Sequence, residues 1–157
     1  LLADDDRVDA RDDAPADPLP DLLAPGLDLV LCGCNPGLVS AAAGHYFAHP
    51  GNAFWPLLAE AGITPRRFRP DEDHLLPAIG VGLTDVARRP SAGIGELRSD
   101  EWRTGAAALA ERLRLYRPAG VCFVGAAGYR AFAGKRQARW GRQPDDWEGI
   151  AVFVVPS

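Results

Sequence analysis

Four short, almost uninterrupted apolar runs constrain this chain more than anything else in it. They are residues 28–34 (D-L-V-L-C-G-C), 79–84 (I-G-V-G-L-T), 119–125 (A-G-V-C-F-V-G) and 150–156 (I-A-V-F-V-V-P). Each has the length of a strand, is rich in β-branched or aromatic residues, and is bounded by Gly or Pro. A strand with one wet face alternates apolar and polar residues. Runs without alternation require cover on both faces, which is the environment of a parallel sheet.

Helical patterns separate the runs. Residues 52–61 set Phe54, Trp55 and Leu58 on one side, and residues 102–116 place Leu109, Leu113 and Tyr116 at i, i+4, i+7 spacing. Ser99 or Asp100 suits the N-cap of the second helix, Pro118 lies beyond its end, and residues 128–132 read as a short helix after the third run. This alternation predicts an α/β three-layer sandwich around a short, mainly parallel four-stranded central sheet.

A chain of 157 residues suits one domain with a full core. The ordered domain is expected over residues 21–157. Residues 1–20, rich in Asp, Ala and Pro, read as a disordered acidic arm. The net charge of −4 divides accordingly: residues 1–21 hold eight aspartates against Arg7 and Arg11, so the remainder is mildly basic, with 15 basic and 13 acidic residues. No apolar run approaches the roughly 18 residues of a membrane span. Three cysteines, an odd number, fit a reduced interior better than a disulfide scaffold. Cys32 and Cys34 share a strand face, but no second pair completes a zinc or iron–sulfur site, so no metal is expected. A phosphate-cradling G-x-x-x-x-G-K-[ST] and a G-x-S-x-G nucleophile elbow are both missing from the sequence.

In open parallel sheets, ligands bind outside the carboxyl ends of the strands. Asn35-Pro36-Gly37, Thr84-Asp85, Gly125-Ala126 and Ser157 should meet at that edge. Pro36 biases Asn35 toward extended angles, and an amide there suits orienting a water or reading a base edge; an Asx turn is the alternative. Gly37 allows a sharp turn or close ligand approach. Asp85 is either a crevice carboxylate or an N-cap or partner of Arg88 or Arg89. Phe47, in the loop H-Y-F-A-H-P at 45–50, is either a stacking platform for an extruded base or part of a loop closing over the core. Arg130, Lys135, Arg136, Arg139 and Arg142, with Trp140 among them, form either a phosphate-contacting segment or a solvated basic face.

In combination, L-L-A-P-G-L (22–27), C-G-C-N-P-G-L (32–38), F-A-H-P-G-N-A-F-W (47–55), G-L-T-D-V-A-R-R-P-S (82–91) and A-R-W-G-R-Q (138–143) resemble the mismatch-specific uracil/thymine DNA glycosylases. These form the bacterial Mug and thymine-DNA glycosylase branch of the uracil-DNA glycosylase superfamily. The resemblance covers nearly everything after residue 21. It implies that Asn35 positions the hydrolytic water and Phe47 stacks on the extruded base. It also implies that the loop from Gly33 through Cys34 to Gly37 contacts that base, while His49 braces its own loop.

Two departures stand out. The family commonly has Lys or Asn after the threonine of the G-x-T segment, where this chain has Asp85, so a shared catalytic role for Asp85 is expected. The family also continues past Val155-Pro156-Ser157 into a wedge loop that reads the opposite guanine and a final helix. Where strict uracil enzymes carry a tyrosine, this chain has Gly37, so bases beyond uracil should be tolerated.

The resemblance implies a monofunctional glycosylase without cofactor, acting in base excision repair. It would work on double-stranded DNA bearing G·U or related mismatches, as a monomer in the bacterial cytoplasm in association with the nucleoid, with no membrane partner. Lys135, Arg136, Arg139 and Arg142 would contact DNA. The alternatives are a non-catalytic nucleic-acid-binding module of the same fold and a small-nucleotide hydrolase.

Overall fold

The computed structural model describes residues 18–157, so the acidic arm expected over 1–20 lies, as far as residue 17, outside the described residues. The four apolar runs form strands β1 (Leu29–Gly33), β2 (Val81–Asp85), β3 (Gly120–Val124) and β5 (Ala151–Val155), all parallel. The sheet has five strands, not four. A two-residue strand, β4 (Gly141–Arg142), pairs antiparallel with β5 and gives the order β2-β1-β3-β5-β4. Both β4 residues are exposed and carry no apolar signal, so only the partner strand reveals them.

Side chains alternate between two cores across this sheet. Val30, Cys32, Val121, Phe123, Val152 and Val154 pack on one face with Leu109 and Leu113 of helix α3 (Ser99–Tyr116) and Tyr129 of α4 (Ala126–Ala133). Leu31, Leu83 and Cys122 pack on the other with Trp55 and Leu58 of α2 (Phe54–Glu60) and with Tyr46 and Leu76. The N-terminal boundary runs slightly earlier than the sequence suggests: Leu19 is buried in this second core. The short helix α1 (Leu38–Ala43) starts directly after the N-P-G loop.

The third helix begins at Ser99 itself, with Arg98 in the N-cap position and Glu101 accepting from its backbone N–H at 2.8 Å. A Cβ on Gly105 of this helix would run into the Val86 carbonyl oxygen. Glycine in a helix interior costs about 1 kcal/mol relative to alanine; here it lets α3 approach the chain just beyond β2. No helix among the described residues is long and apolar enough to cross a membrane.

Candidate active site

Strands β1 and β2 end side by side, with Gly33 opposite Asp85 in the register. The loops that leave them stay zipped: Val86 N donates to Gly33 O (2.9 Å), Ala87 N to Cys34 O (2.8 Å) and Ser91 N to Pro36 O (3.1 Å). Asn35, Phe47 and Asp85 all line one groove of about 1410 Å³ at this carboxyl edge, together with Gly33, Cys34 and Gly37.

Asn35 does not form a local Asx turn. Its Nδ2 donates to the Arg89 carbonyl and to Ser91 Oγ, both at 2.8 Å, and Ser91 Oγ in turn donates to Gly93 O at 2.8 Å. A carbonyl oxygen can only accept, so the amide orientation is dictated by the Arg89 contact. Both amide protons are thereby committed, and Oδ1 is left as the acceptor that Asn35 offers the groove. The Arg89 and Ser91 anchors come from a loop more than fifty residues away, which no local pattern around Pro36 encodes.

Phe47 has φ 50°, a left-handed conformation that bulky residues rarely adopt. Three side chains impose it. Tyr46 N donates to Asp73 Oδ2 (3.1 Å), Trp55 Nε1 donates to Tyr46 O (3.2 Å), and Ala48 N donates to Ser40 Oγ (3.0 Å). One face of the Phe47 ring stacks on Phe54 at 3.8 Å between centroids and 17° between planes. Strain held in place by surrounding bonds is a mark of functional loops.

Asp85 is 4 % exposed, yet none of the described residues hydrogen-bonds its carboxyl oxygens through the side-chain contacts that fix its neighbours. The expected partners are engaged elsewhere: Arg88 binds Asp21 (2.6 Å) and Arg89 binds Glu101. Burial pushes the Asp85 carboxyl up to about 7; Arg88 and Arg112 oppose that rise, and Asp21 adds to it. Such a group exchanges protons near neutrality, as a general base must. A Cβ on Gly33 would overlap Asp85 Oδ1 and stand 3.6 Å from Phe47 Cζ, so the carboxylate and the ring close on the same backbone point.

Gly37 needs no glycine geometry, having φ −71° and ψ 161°, and an added Cβ would meet nothing within 4 Å. The sharp turn considered for it is therefore not what it provides; it leaves open space beside the groove. Cys34 also lines the groove, and burial raises its thiol pKa, which keeps it protonated and a poor nucleophile. His49 Nδ1 accepts from Gly51 N at 3.1 Å, tying its own loop.

Lys135, Arg136 and Arg139 are exposed on the segment after α4, whereas Arg142 pairs with Asp146 at 3.2 Å. Arg130 and Trp140, the latter 62 % exposed, reach the rim of the groove. Ser91, Phe54 and Asp21 were not assigned roles from sequence. Ser91 and Phe54 fall inside the quoted motifs, but nothing local marks Asp21 as a neighbour of the site.

A family model described as the uracil DNA glycosylase superfamily matches residues 20–157. Among solved structures, the chain is similar to the solution NMR structure of a provisionally assigned uracil DNA glycosylase from Methanosarcina acetivorans, at 21% identity and a TM-score of 0.60. That match covers 90% of this chain and 83% of the other, and at this identity it speaks to the fold.

Proposed function

The chain belongs to the uracil DNA glycosylase superfamily, and on that premise we propose that it is a monofunctional glycosylase of the mismatch-specific branch. It would flip uracil out of duplex DNA and hydrolyse the bond between the base nitrogen and the sugar. The single observation that carries this reading is the convergence of Asn35, Phe47 and Asp85 on one groove around Gly33.

Flipping costs a few kcal/mol of stacking and pairing, less at a mismatch, which favours G·U over a matched pair. The free face of Phe47 restores stacking to the extruded base, with Phe54 behind it. The bond from C1′ to the base nitrogen breaks with its electron pair leaving on the base. Positive charge then develops on the sugar, where ionised Asp85 stabilises it. Asn35 Oδ1 accepts a proton contact from the attacking water and aligns it. As the water oxygen bonds to C1′, its proton passes to Asp85. The uracil anion takes a proton from solvent, and the products are free uracil and an abasic site.

Gly37 adds a proposal about breadth. A side chain at that position would border the groove, and its absence leaves room for substituents at the pyrimidine 5-position, so thymine opposite guanine is expected as a slower substrate. The exposed Lys135, Arg136 and Arg139 are assigned to backbone phosphates, with Arg142 contributing after release from Asp146.

A labelled duplex with one G·U pair, followed by alkaline cleavage of abasic sites, tests the reading. Strand scission at the uracil is expected. Binding without scission would replace it with a non-catalytic module, and release of uracil only from free deoxyuridine nucleotides would replace it with a small-nucleotide hydrolase.

A further inference from the structure

The segment that precedes β1 carries a carboxylate into the back of the site. Leu22 pairs with Leu83 across the outer edge of β2 through two backbone bonds of 2.9 Å, Tyr46 Oη donates to Pro20 O at 2.8 Å, and Leu19 is buried. Asp21 is thereby fixed beside Thr84, the residue before Asp85. Its Oδ1 accepts from Thr84 Oγ1 and from Arg88 Nη1, both at 2.6 Å, and its Oδ2 lies 3.5 Å from Arg112 Nε. Arg112 Nε is buried and makes no hydrogen bond among the described residues, while Arg112 Nη2 donates to the Asp85 backbone carbonyl at 2.8 Å.

Arg112 touches the Asp85 backbone, and the charges of Arg88 and Arg112 both act on the Asp85 carboxyl; a carboxylate in a poorly hydrated site is the partner a guanidinium fork binds best. Arg88 instead hydrogen-bonds Asp21, while Arg112, anchored on the Asp85 backbone carbonyl, turns its Nε to within 3.5 Å of Asp21 Oδ2. We propose that Asp21 is a positioning residue for base excision: it holds Arg88 away from the Asp85 carboxylate, shares the charge of Arg112, and so keeps that carboxylate unpaired and able to take a proton. This rests on the assignment of Asp85 as the proton acceptor. Asp85 also couples to Cys32, Cys34 and Tyr46, all kept un-ionised by burial, and His49 and Arg130 line the same groove, but the charges that act on the Asp85 carboxyl are those of Asp21 and the two arginines.

The test is the pH dependence of single-turnover excision from a G·U duplex by wild type, Asp21→Asn, Asp21→Glu, Arg88→Met and Asp85→Asn. Without its charge, Asp21 releases Arg88 to Asp85 and no longer offsets the charge of Arg112. The rising limb of the Asp21→Asn profile should then move down by about one pH unit or more, and the plateau rate should fall about tenfold or more. Asp21→Glu should recover both toward wild type, and Arg88→Met should move the limb upward. Arg88 is 41% exposed in its side chain, so this second variant carries the test if Asp21→Asn does not fold. Midpoints unchanged in the folded variants, whatever happens to their melting temperatures, would overturn the proposal and leave Asp21 a structural ion-pair partner. If Asp85→Asn excises as fast as wild type, the assignment of Asp85 falls instead, and the Asp21 proposal with it. If Asp85→Asn is slow while the midpoints stay fixed, only the Asp21 proposal falls.

Discussion

Gly33 and Asp85 face each other at the ends of adjacent parallel strands, and there is no room between the Gly33 backbone and the Asp85 carboxylate for even a methyl group. Gly33→Ala should therefore displace the carboxylate. We expect a destabilisation of about 1–3 kcal/mol from overpacking and a loss of about 10²-fold or more in single-turnover rate. Urea unfolding and excision kinetics on the same preparation check the pair of effects; a variant that excises at the wild-type rate would contradict this geometry.

Asp85 makes excision rate and stability respond oppositely to pH. Its carboxyl, raised from 3.8 to about 7, must be ionised to accept a proton, so the rate should climb through about pH 7 and level off above it. The folded state binds that proton more tightly than the unfolded chain, so the stability contribution is full below about pH 4 and is lost as pH rises through about 7. Asp85→Asn removes the titration. Its unfolding free energy should gain on wild type by about 2–3 kcal/mol between pH 5 and pH 8, while its excision stays low at both. Thermal melts across that range, with parallel rate measurements, read both consequences.

Asn35 offers an acceptor to the groove while its protons anchor the loop, and these two jobs separate by substitution. Asn35→Ala removes both and should cost about 10²–10⁴-fold in single-turnover rate. Ser91→Ala removes one anchor only, with Arg89 O still held, so its loss should be several-fold smaller. Equal losses in the two variants would mean that Asn35 acts through loop structure alone.

The Phe47 ring and the Phe47 backbone make separable contributions. Phe47→Ala and Phe47→Gly both delete the stacking surface and should each weaken productive binding of the extruded base by about 1–3 kcal/mol. Only glycine relieves the φ of 50°, so Phe47→Gly should melt higher than Phe47→Ala. Binding of an uncleavable uracil analogue in duplex DNA, set beside the two melting temperatures, distinguishes ring from backbone.

Gly37→Tyr is expected to fold, since φ −71° suits any residue and the Cβ position is open. It should narrow the substrate range, with uracil excision changed less than about tenfold. Any cleavage of thymine or other 5-substituted bases should fall further. Rates on matched G·U and G·T duplexes give the ratio directly.

The four parallel strands were legible because continuous apolarity is a strong pattern, and the strand-end rule then located Asn35 and Asp85 without any side-chain detail. The fifth strand was not, because Gly141 and Arg142 pair through backbone groups to β5 and have no side-chain pattern of their own. Gly105 is intelligible only once α3 is seen against the Val86 carbonyl. Asp21 is the first residue of the expected domain, with nothing local to give it a place in the site. Its role depends on a backbone bridge from Leu22 to Leu83, a long-range pairing that no local spacing encodes.

The Phe47–Phe54 pair, stacked almost parallel, gives the groove a neutral aromatic slab two rings thick. A slab grips the flat side of any heterocycle and is indifferent to the atoms around its perimeter. On the proposed function, telling one lesion from another would thus fall to whatever surrounds the perimeter, and the repertoire could be retuned there while the grip on an extruded ring stays the same.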